Sequence, residues 1–171
     1  DNYGAYGSGE DLIKEVSQAE VGFKYMTDQL QTFVTLFSNE VKGDTFVRRP
    51  GEPAEILTNE AFGVELDTNY QTELGLNVNL NATIQDTEIT ASADNQGNET
   101  QRQPGWQVRL TPSYDFEVAE DQFVTLYGTL SAVDDRFGDN ANTVVLEGYE
   151  KIDVGVIYEP TESVKLQLSV D

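Results

Sequence analysis

The segment from Leu74 to Ile84 alternates aliphatic and polar residues without a break. The aliphatic positions are Leu74, Leu76, Val78, Leu80, Ala82 and Ile84, and the positions between them hold Gly75, Asn77, Asn79, Asn81 and Thr83. Successive side chains of a β-strand point to opposite sides of its sheet. The pattern therefore predicts a strand with one face against an apolar medium and the other against water, as in the wall of a membrane barrel.

The same alternation recurs along the chain and predicts about eight strands. They lie near residues 19–25, 30–41, 62–70, 74–84, 106–117, 123–132, 151–158 and 164–171. In the second strand both faces carry apolar groups, and we assign Leu30, Thr32, Val34 and Leu36 to the apolar face. Pro112 cannot donate to a ladder, which predicts a bulge or a missing bond in the fifth strand.

The connections between these segments alternate between short and long. Short turns are predicted at 27–29, 71–73, 119–121 and 159–162, and long polar links at 42–59, 86–105 and 134–144. Outer-membrane barrels have short turns on one side and long external loops on the other. The fold class predicted is therefore all-β: part of an antiparallel, up-and-down transmembrane barrel of about eight strands.

Composition removes several other classes of protein. The 171 residues suit one domain, and 10 basic against 31 acidic residues leave a net charge of -21, so no basic surface is available for nucleic acid. No stretch approaches the roughly 20 apolar residues of a spanning helix. Since the chain has no cysteine, no histidine and no nucleophile motif, we predict no enzyme activity, no cofactor and no metal site.

Aromatic residues fall near the ends of the predicted strands, where a barrel has interfacial girdles. They are Phe23, Tyr25, Phe62, Tyr70, Trp106, Tyr114, Phe116 and Tyr158. A simpler explanation is that aromatic residues are common in strands of any kind.

Several charged groups are candidates for contact with a ligand or an ion. On the polar faces, Glu65, Asp67, Asp115, Glu117 and Asp153 either attract cations into a channel or are ordinary solvated residues. Segments 94–99 and 134–140 are rich in oxygen ligands and contain glycine, but neither has the spacing of an EF-hand. Arg48, Arg49, Arg102 and Arg136 lie in the predicted long links.

An ordered set of short motifs resembles the late barrel of TonB-dependent outer-membrane receptors. Gly63-Val64-Glu65 is similar to a "GVE" strand of that family, Asp86-Thr87-Glu88-Ile89 to a "DAEI"-like segment, and Pro104-Gly105-Trp106 to a "P-x-W" strand entry. Near the end, segments 148–155, 158–161 and 166–171 are similar to the family's "GY-x-x-x-D-x-G" strand and "L-x-V-D-N-L-F" segment. The resemblance runs from about Val16 onward.

The resemblance implies the C-terminal barrel portion of a receptor in a Gram-negative outer membrane, with residues 1–171 inside one barrel domain and no plug. It implies uptake of a siderophore-iron complex, cobalamin or a glycan, with residues for ligand contact left unassigned. The implied partners are the lipid bilayer, the missing strands and plug, a TonB-type energy-coupling protein and a small nutrient. Two alternatives remain: a complete eight-stranded barrel with a structural or adhesive role, and a soluble acidic β-sandwich that binds glycans.

Overall fold

The computed structural model describes residues 14–46 and 55–170. Eight strands form a single antiparallel sheet: β1 (Glu15–Met26), β2 (Leu30–Phe46), β3 (Glu55–Gln71), β4 (Leu76–Ala91), β5 (Trp106–Ala119), β6 (Gln122–Val133), β9 (Tyr149–Thr161) and β10 (Val164–Val170). A small separate hairpin, β7 (Arg136–Phe137) and β8 (Val145–Leu146), lies between β6 and β9 in the chain. The prediction of an antiparallel up-and-down sheet of about eight strands is confirmed.

The sheet is open. Its strand order runs from β1 to β10, and no described strand pairs with the outer edge of either. Every residue of β1 and β10 is exposed. The alternative of a complete eight-stranded barrel is therefore wrong for this sheet, because its first and last strands do not meet. No helix within the described ranges is both long enough and apolar enough to cross a membrane.

The strand limits differ from the prediction at several places, and most strands are longer than predicted. The fourth strand continues to Ala91, so that the predicted link 86–105 begins only at residue 92. The fourth strand begins at Leu76, because Gly75 adopts a positive φ of 90° and leaves Leu74 in the turn with 80% of its surface exposed. The ninth strand continues through Pro160 to Thr161, so that turn starts later than predicted. The predicted link 42–59 is largely strand, because β2 and β3 remain paired as far as Phe46 and Glu55.

Pro112 interrupts one ladder without creating a bulge. It pairs with Val78 of β4, but the β5–β6 pairs stop at Leu110 and resume at Ser113 in unchanged register. The prediction of a missing bond is confirmed, and the predicted bulge is absent here. Across the gap, the hydroxyls of Thr111 and Thr129 lie 3.3 Å apart and share a hydrogen bond.

Cross-strand register sorts the side chains into two faces. We call the apolar face the one whose rows join aliphatic positions of neighbouring strands, for example Leu36, Val64 and Ile84. The assignment of Leu30, Thr32, Val34 and Leu36 to this face is confirmed, since they pair with Tyr70, Thr68, Leu66 and Val64. Large apolar side chains on it remain uncovered, with Val21 at 72% and Ile152 at 68% exposed.

The opposite, polar face contains two aromatic rings that lie over glycines of the neighbouring strand. Phe37 pairs with Gly63, and Tyr127 pairs with Gly155. A Cβ atom at Gly63 would lie 2.6 Å from the Phe37 ring, and one at Gly155 would overlap the Tyr127 ring. Such a ring covers the glycine and packs against the backbone that the glycine leaves bare.

Candidate ligand-binding face

The polar face carries a network of short hydrogen bonds between neighbouring strands. Asn81 Nδ2 donates to Asp67 Oδ2 over 2.7 Å. Asp115 accepts two bonds, from Asn77 Nδ2 at 3.0 Å and from the Thr125 hydroxyl at 2.7 Å. The asparagines that define the polar side of β4 therefore orient the carboxylates of β3 and β5.

All five predicted channel carboxylates lie on this face. Glu65 and Asp67 lie opposite Thr83 and Asn81, and Asp115 and Glu117 lie opposite Thr125 and Phe123. Asp153 lies opposite Thr129 and pairs with Lys151 at 2.8 Å. The structure brings them to one face but spreads them across three strands, β3, β5 and β9, so they form a charged wall and not a compact site.

The first of the two long links, link A (residues 92–105), runs along the edge of β4 that β5 leaves open beyond Ile84, and it reaches the polar face at Thr87. Ile89 N–H donates to Asn98 O at 2.8 Å, and Gly97 N–H donates back to Ile89 O at 2.9 Å. Further along, Thr100 N–H bonds the Thr87 hydroxyl at 3.3 Å. The Ile89 side chain is fully buried, and the bonds to Ile89 and Thr87 fix link A to the sheet.

The second long link, link B (residues 134–148), contains the hairpin β7–β8, which the alternation pattern missed. Asp139 forms its tip: Oδ1 accepts from the backbone N–H groups of Thr143 at 2.9 Å and Val144 at 3.0 Å. Oδ2 accepts from the Thr143 hydroxyl at 2.6 Å. These donors stabilise the ionised carboxylate, so the hydrogen bonds from Thr143 and Val144 hold the pKa of Asp139 below its ordinary 3.8.

The two links are joined by side-chain amides. Glu99 N–H donates to Asn142 Oδ1 at 2.8 Å, and Asn142 Nδ2 donates to Glu99 O at 3.0 Å. Asn98 Nδ2 donates to Asn140 O at 2.9 Å. The prediction that segments 86–105 and 134–144 lie at the same end of the sheet is confirmed by these contacts.

A cavity of about 260 Å³ lies between β4 and the two links. It is lined by Gln85, Asp86, Thr87, Glu99, Gln103, Gly105, Asp134, Asp135, Arg136 and Phe137. We call it the loop-end cavity. A second space of about 250 Å³ shares Gln85, Thr87 and Gln103 with it and also touches Thr100. Arg136 Nη1, at the loop-end cavity, and Thr100 Oγ1, at the second space, are buried without a hydrogen-bond partner.

Four arginines lie in the long links predicted from the sequence. Of these, Arg136 alone lines a described cavity, and Arg48 and Arg49 lie outside the described residues.

The two calcium-like segments are used for contacts within the protein. Asn98 and Asp139 bond to backbone groups and a hydroxyl of the links. Within the part of the chain that the structure describes, no group of three or more acidic, histidine or cysteine side chains is arranged to hold a metal ion. Sequence patterns could not reveal the contacts between the links, because Glu99 and Asn142 are 43 positions apart.

The predicted aromatic girdle residues all lie on the apolar face. Tyr25, Tyr70, Phe116 and Tyr158 stand close to the turn ends of their strands, and Trp106 opens β5 at the other end. The rings of Tyr114 and Phe116 are 4.6 Å apart. Phe23 and Phe62 are exceptions, because Phe23 lies in an interior row beside Val34 and Phe62 lies in the middle of β3. Contact of these rings with lipid headgroups stays a prediction.

Comparison with known proteins gives matches in sequence family and in fold. A family model described as "TonB dependent receptor-like, beta-barrel" matches residues 2–171. No curated protein matches the chain.

Three solved structures share the fold of the sheet. The ferric yersiniabactin uptake receptor FyuA from Yersinia pestis is similar with a TM-score of 0.77 and 16% identity, over 91% of this chain and 24% of that one. BauA, the ferric preacinetobactin receptor from Acinetobacter baumannii, has a TM-score of 0.72 and 22% identity over 84% and 22% of the two chains. The copper transporter OprC has a TM-score of 0.71 and 18% identity over 90% and 24%. The chain thus spans about a quarter of the length of each of these proteins.

Proposed function

Because the chain belongs to the TonB-dependent receptor-like β-barrel family, we propose that it forms part of the barrel wall of an outer-membrane receptor that imports a metal chelate. The family match over residues 2–171 is the observation that carries the proposal. The two-faced sheet supports it independently. An exposed aliphatic face backed by a hydrogen-bonded polar face is unfavourable in water and suited to a bilayer wall around an aqueous interior.

A metal chelate is preferred to cobalamin or a glycan because of the named activities of the similar structures. Two are described as receptors for ferric chelates and one as a copper transporter. Since these proteins are less than 25% identical to the chain, they support the class of cargo and no particular chelate.

Ligand contact is proposed for the loop end of the polar face. The loop-end cavity combines carboxylates, amides and the Arg136 guanidinium within about 260 Å³. Recognition of a polar ligand needs a few convergent polar groups in a concave site. The turn end offers only short connections of two to four residues.

The open edges of the sheet define the further partners. In hydrocarbon each unpaired backbone group costs several kcal/mol, so β1 and β10 are proposed to pair with other strands of the same receptor. A plug and a TonB-type energy-coupling protein complete the proposed transport unit. Residues 1–171 then belong to one barrel domain.

Uptake of radioactive iron in cells tests the proposal. A strain lacking the full receptor is supplied with ferric siderophores one at a time, and the wild-type receptor is expected to restore uptake of at least one of them. A strain without energy coupling serves as the control and is expected to bind the chelate but not to import it. Restored uptake of cobalamin or of a glycan, with no ferric or copper chelate imported, would contradict the proposed cargo.

A further inference from the structure

Link A and link B differ in how they are attached to the sheet. Link A is bonded to β4 along its length, at Ile89, Thr87 and Gln85. Link B leaves the sheet through a narrow neck. There, Asp134 N–H donates to Trp106 O at 3.1 Å, and the two ends of the link approach so closely that a Cβ at Gly148 would lie 2.6 Å from Val133 O.

Beyond its neck, link B meets link A. The amide of Asn142 exchanges two hydrogen bonds with the backbone of Glu99, as one β-strand does with another. Asn98 bonds Asn140 O, and Arg102 N–H donates to Phe137 O at 2.7 Å. Both sides of this junction also line the loop-end cavity, through Glu99 on link A and Arg136 and Phe137 on link B.

Link B is itself a folded unit. Its two strands pair between Arg136 and Leu146, Gly138 N–H donates to Val144 O at 2.7 Å, and Asp139 closes the tip. A folded unit on a narrow neck is able to turn as a rigid body if its outer contacts are released.

We propose that link B is a flap with its hinge at Asp134 and Gly148, and that the side chains of Asn142 and Asn98, together with the Arg102–Phe137 backbone bond, latch it onto link A over the loop-end cavity. Release of the latch opens the cavity to solvent while the hairpin stays intact. The inference rests on the proposed function only in taking this cavity as the site that the flap controls.

Asn142 allows its side chain to be tested apart from its backbone. Its φ is 54°, in the left-handed region, where an alanine is strained and a glycine is not. Asn142→Gly therefore deletes the two latch bonds, together with a longer bond from Asn142 Nδ2 to Asp139 O at 3.3 Å within link B, and keeps the backbone conformation. Asn98→Ala removes the other side-chain bond. Asp94→Ala is the matched control, because Asp94 is an exposed residue of link A and the bond given for it uses its backbone.

Two measurements on the full receptor test the latch. In the first, Thr87→Cys places a thiol at the loop-end cavity, where the Thr87 side chain is buried, and its reaction with a charged methanethiosulfonate reagent is timed. Since the latch bonds are individually modest, Asn142→Gly is expected to raise the rate about tenfold. In the second, spin labels at Gln96 and Val145 report the separation of the links, and Asn142→Gly is expected to add a longer distance.

Hydrogen exchange at the Gly138 amide separates opening from unfolding. If the flap turns as a unit, this amide stays protected in Asn142→Gly while the thiol becomes reactive. Loss of its protection would overturn the proposal, because the hairpin would then have unravelled. Unchanged thiol reactivity and label distance in both latch variants would overturn it as well. Neither readout uses a transported ligand, so a failure of the uptake experiment would leave this result standing.

Discussion

The sheet and the two links at its end are held together by different kinds of contact. Within the sheet, register repeats for many residues at a time, as in the unbroken β3–β4 pairing from Asn59 to Gln71. In the links a few single side chains make the contacts that hold the structure together, among them Asn142, which joins the two links, and Asp139, which closes the tip of link B. Stability in the sheet is spread over many equivalent positions, whereas each link contact is specific and has no neighbour that duplicates it.

The difference predicts large, face-dependent effects of mutations in the sheet and small, local effects in the links. The effect of a substitution on a strand depends on whether the side chain faces the apolar medium or water. The loss of stability therefore differs strongly between two adjacent positions. A substitution in a link changes one junction and leaves the ladders intact. The following predictions test this contrast.

The largest effect is expected at the boundary between the two faces. Ala82 lies on the apolar face opposite Leu66, in the middle of the sheet, and Thr83 lies on the polar face opposite Glu65. Ala82→Arg is expected to weaken membrane folding of the full receptor by about 2–4 kcal/mol, because an arginine is then placed in lipid near the midplane. Thr83→Arg is expected to cost far less. Equal losses in a bilayer folding titration would mean that the faces are wrongly assigned.

A second effect within the sheet concerns the two covered glycines. A Cβ at Gly63 meets both the Phe37 ring and the backbone oxygen of Ile84, each at 2.6 Å. Gly63→Ala is therefore expected to cost about 1–3 kcal/mol through overpacking. Gly155→Ala meets the far end of the Tyr127 ring, which is able to move aside, so its cost should be smaller. Urea unfolding of the full receptor measures both, and a larger loss for Gly155→Ala would contradict the packing argument.

At the turn end of the sheet, single hydroxyls close the hairpins. Thr27 Oγ1 accepts from Leu30 N–H at 2.9 Å, and Thr72 Oγ1 accepts from Leu76 N–H at 3.1 Å. Thr27→Ala and Thr72→Ala should each lower the free energy of unfolding by about 0.5–1.5 kcal/mol, the usual net value of such a bond. Asp28→Ala, in the same turn as Thr27, is the control. If the control matches Thr27→Ala in the urea titration, the hydroxyl is not the cause.

The smallest global effect is expected from acid at the tip of link B. The pKa of Asp139 is lowered by folding, so its contribution is complete above the ordinary value of 3.8 and disappears as the pH falls through the lower folded value. Below pH 3.8 the Thr143 and Val144 amides should lose protection from hydrogen exchange, while the amides of β3 and β4 stay protected. Asp139→Asn should show the loss already at neutral pH. If the amides of β3 and β4 lost protection at the same pH, the links and the sheet would not respond differently to acid, and the prediction would be wrong.

The contrast also explains which parts of the structure were predictable. Alternation found all eight strands of the sheet and the correct face of β2, because one period governs every residue of a two-faced strand. Leu74 was misplaced because it continues the alternation, while Gly75 has already turned the chain.

Sequence reasoning missed the structure of the links for a physical reason. The strands β7 and β8 have two residues each, which is too short for any period to show. The contact between Asn142 and Glu99 depends on where two distant loops end in space. Local residue preferences carry no information about a contact between two distant loops. They are consistent only with the positive φ of Asn142, because asparagine tolerates the left-handed region.

The strand order has a consequence for how the sheet assembles. Each strand of the sheet pairs with the strand that precedes it along the chain, with only the short β7–β8 hairpin interposed before β9. Every new pairing therefore closes only the turn or link between two successive strands of the sheet, and this loses less chain entropy than joining distant parts of the chain. Pairings between sequence neighbours also favour rapid folding. The sheet is thus able to grow by one strand at a time from either end, and each exposed edge is the template on which the next strand is laid.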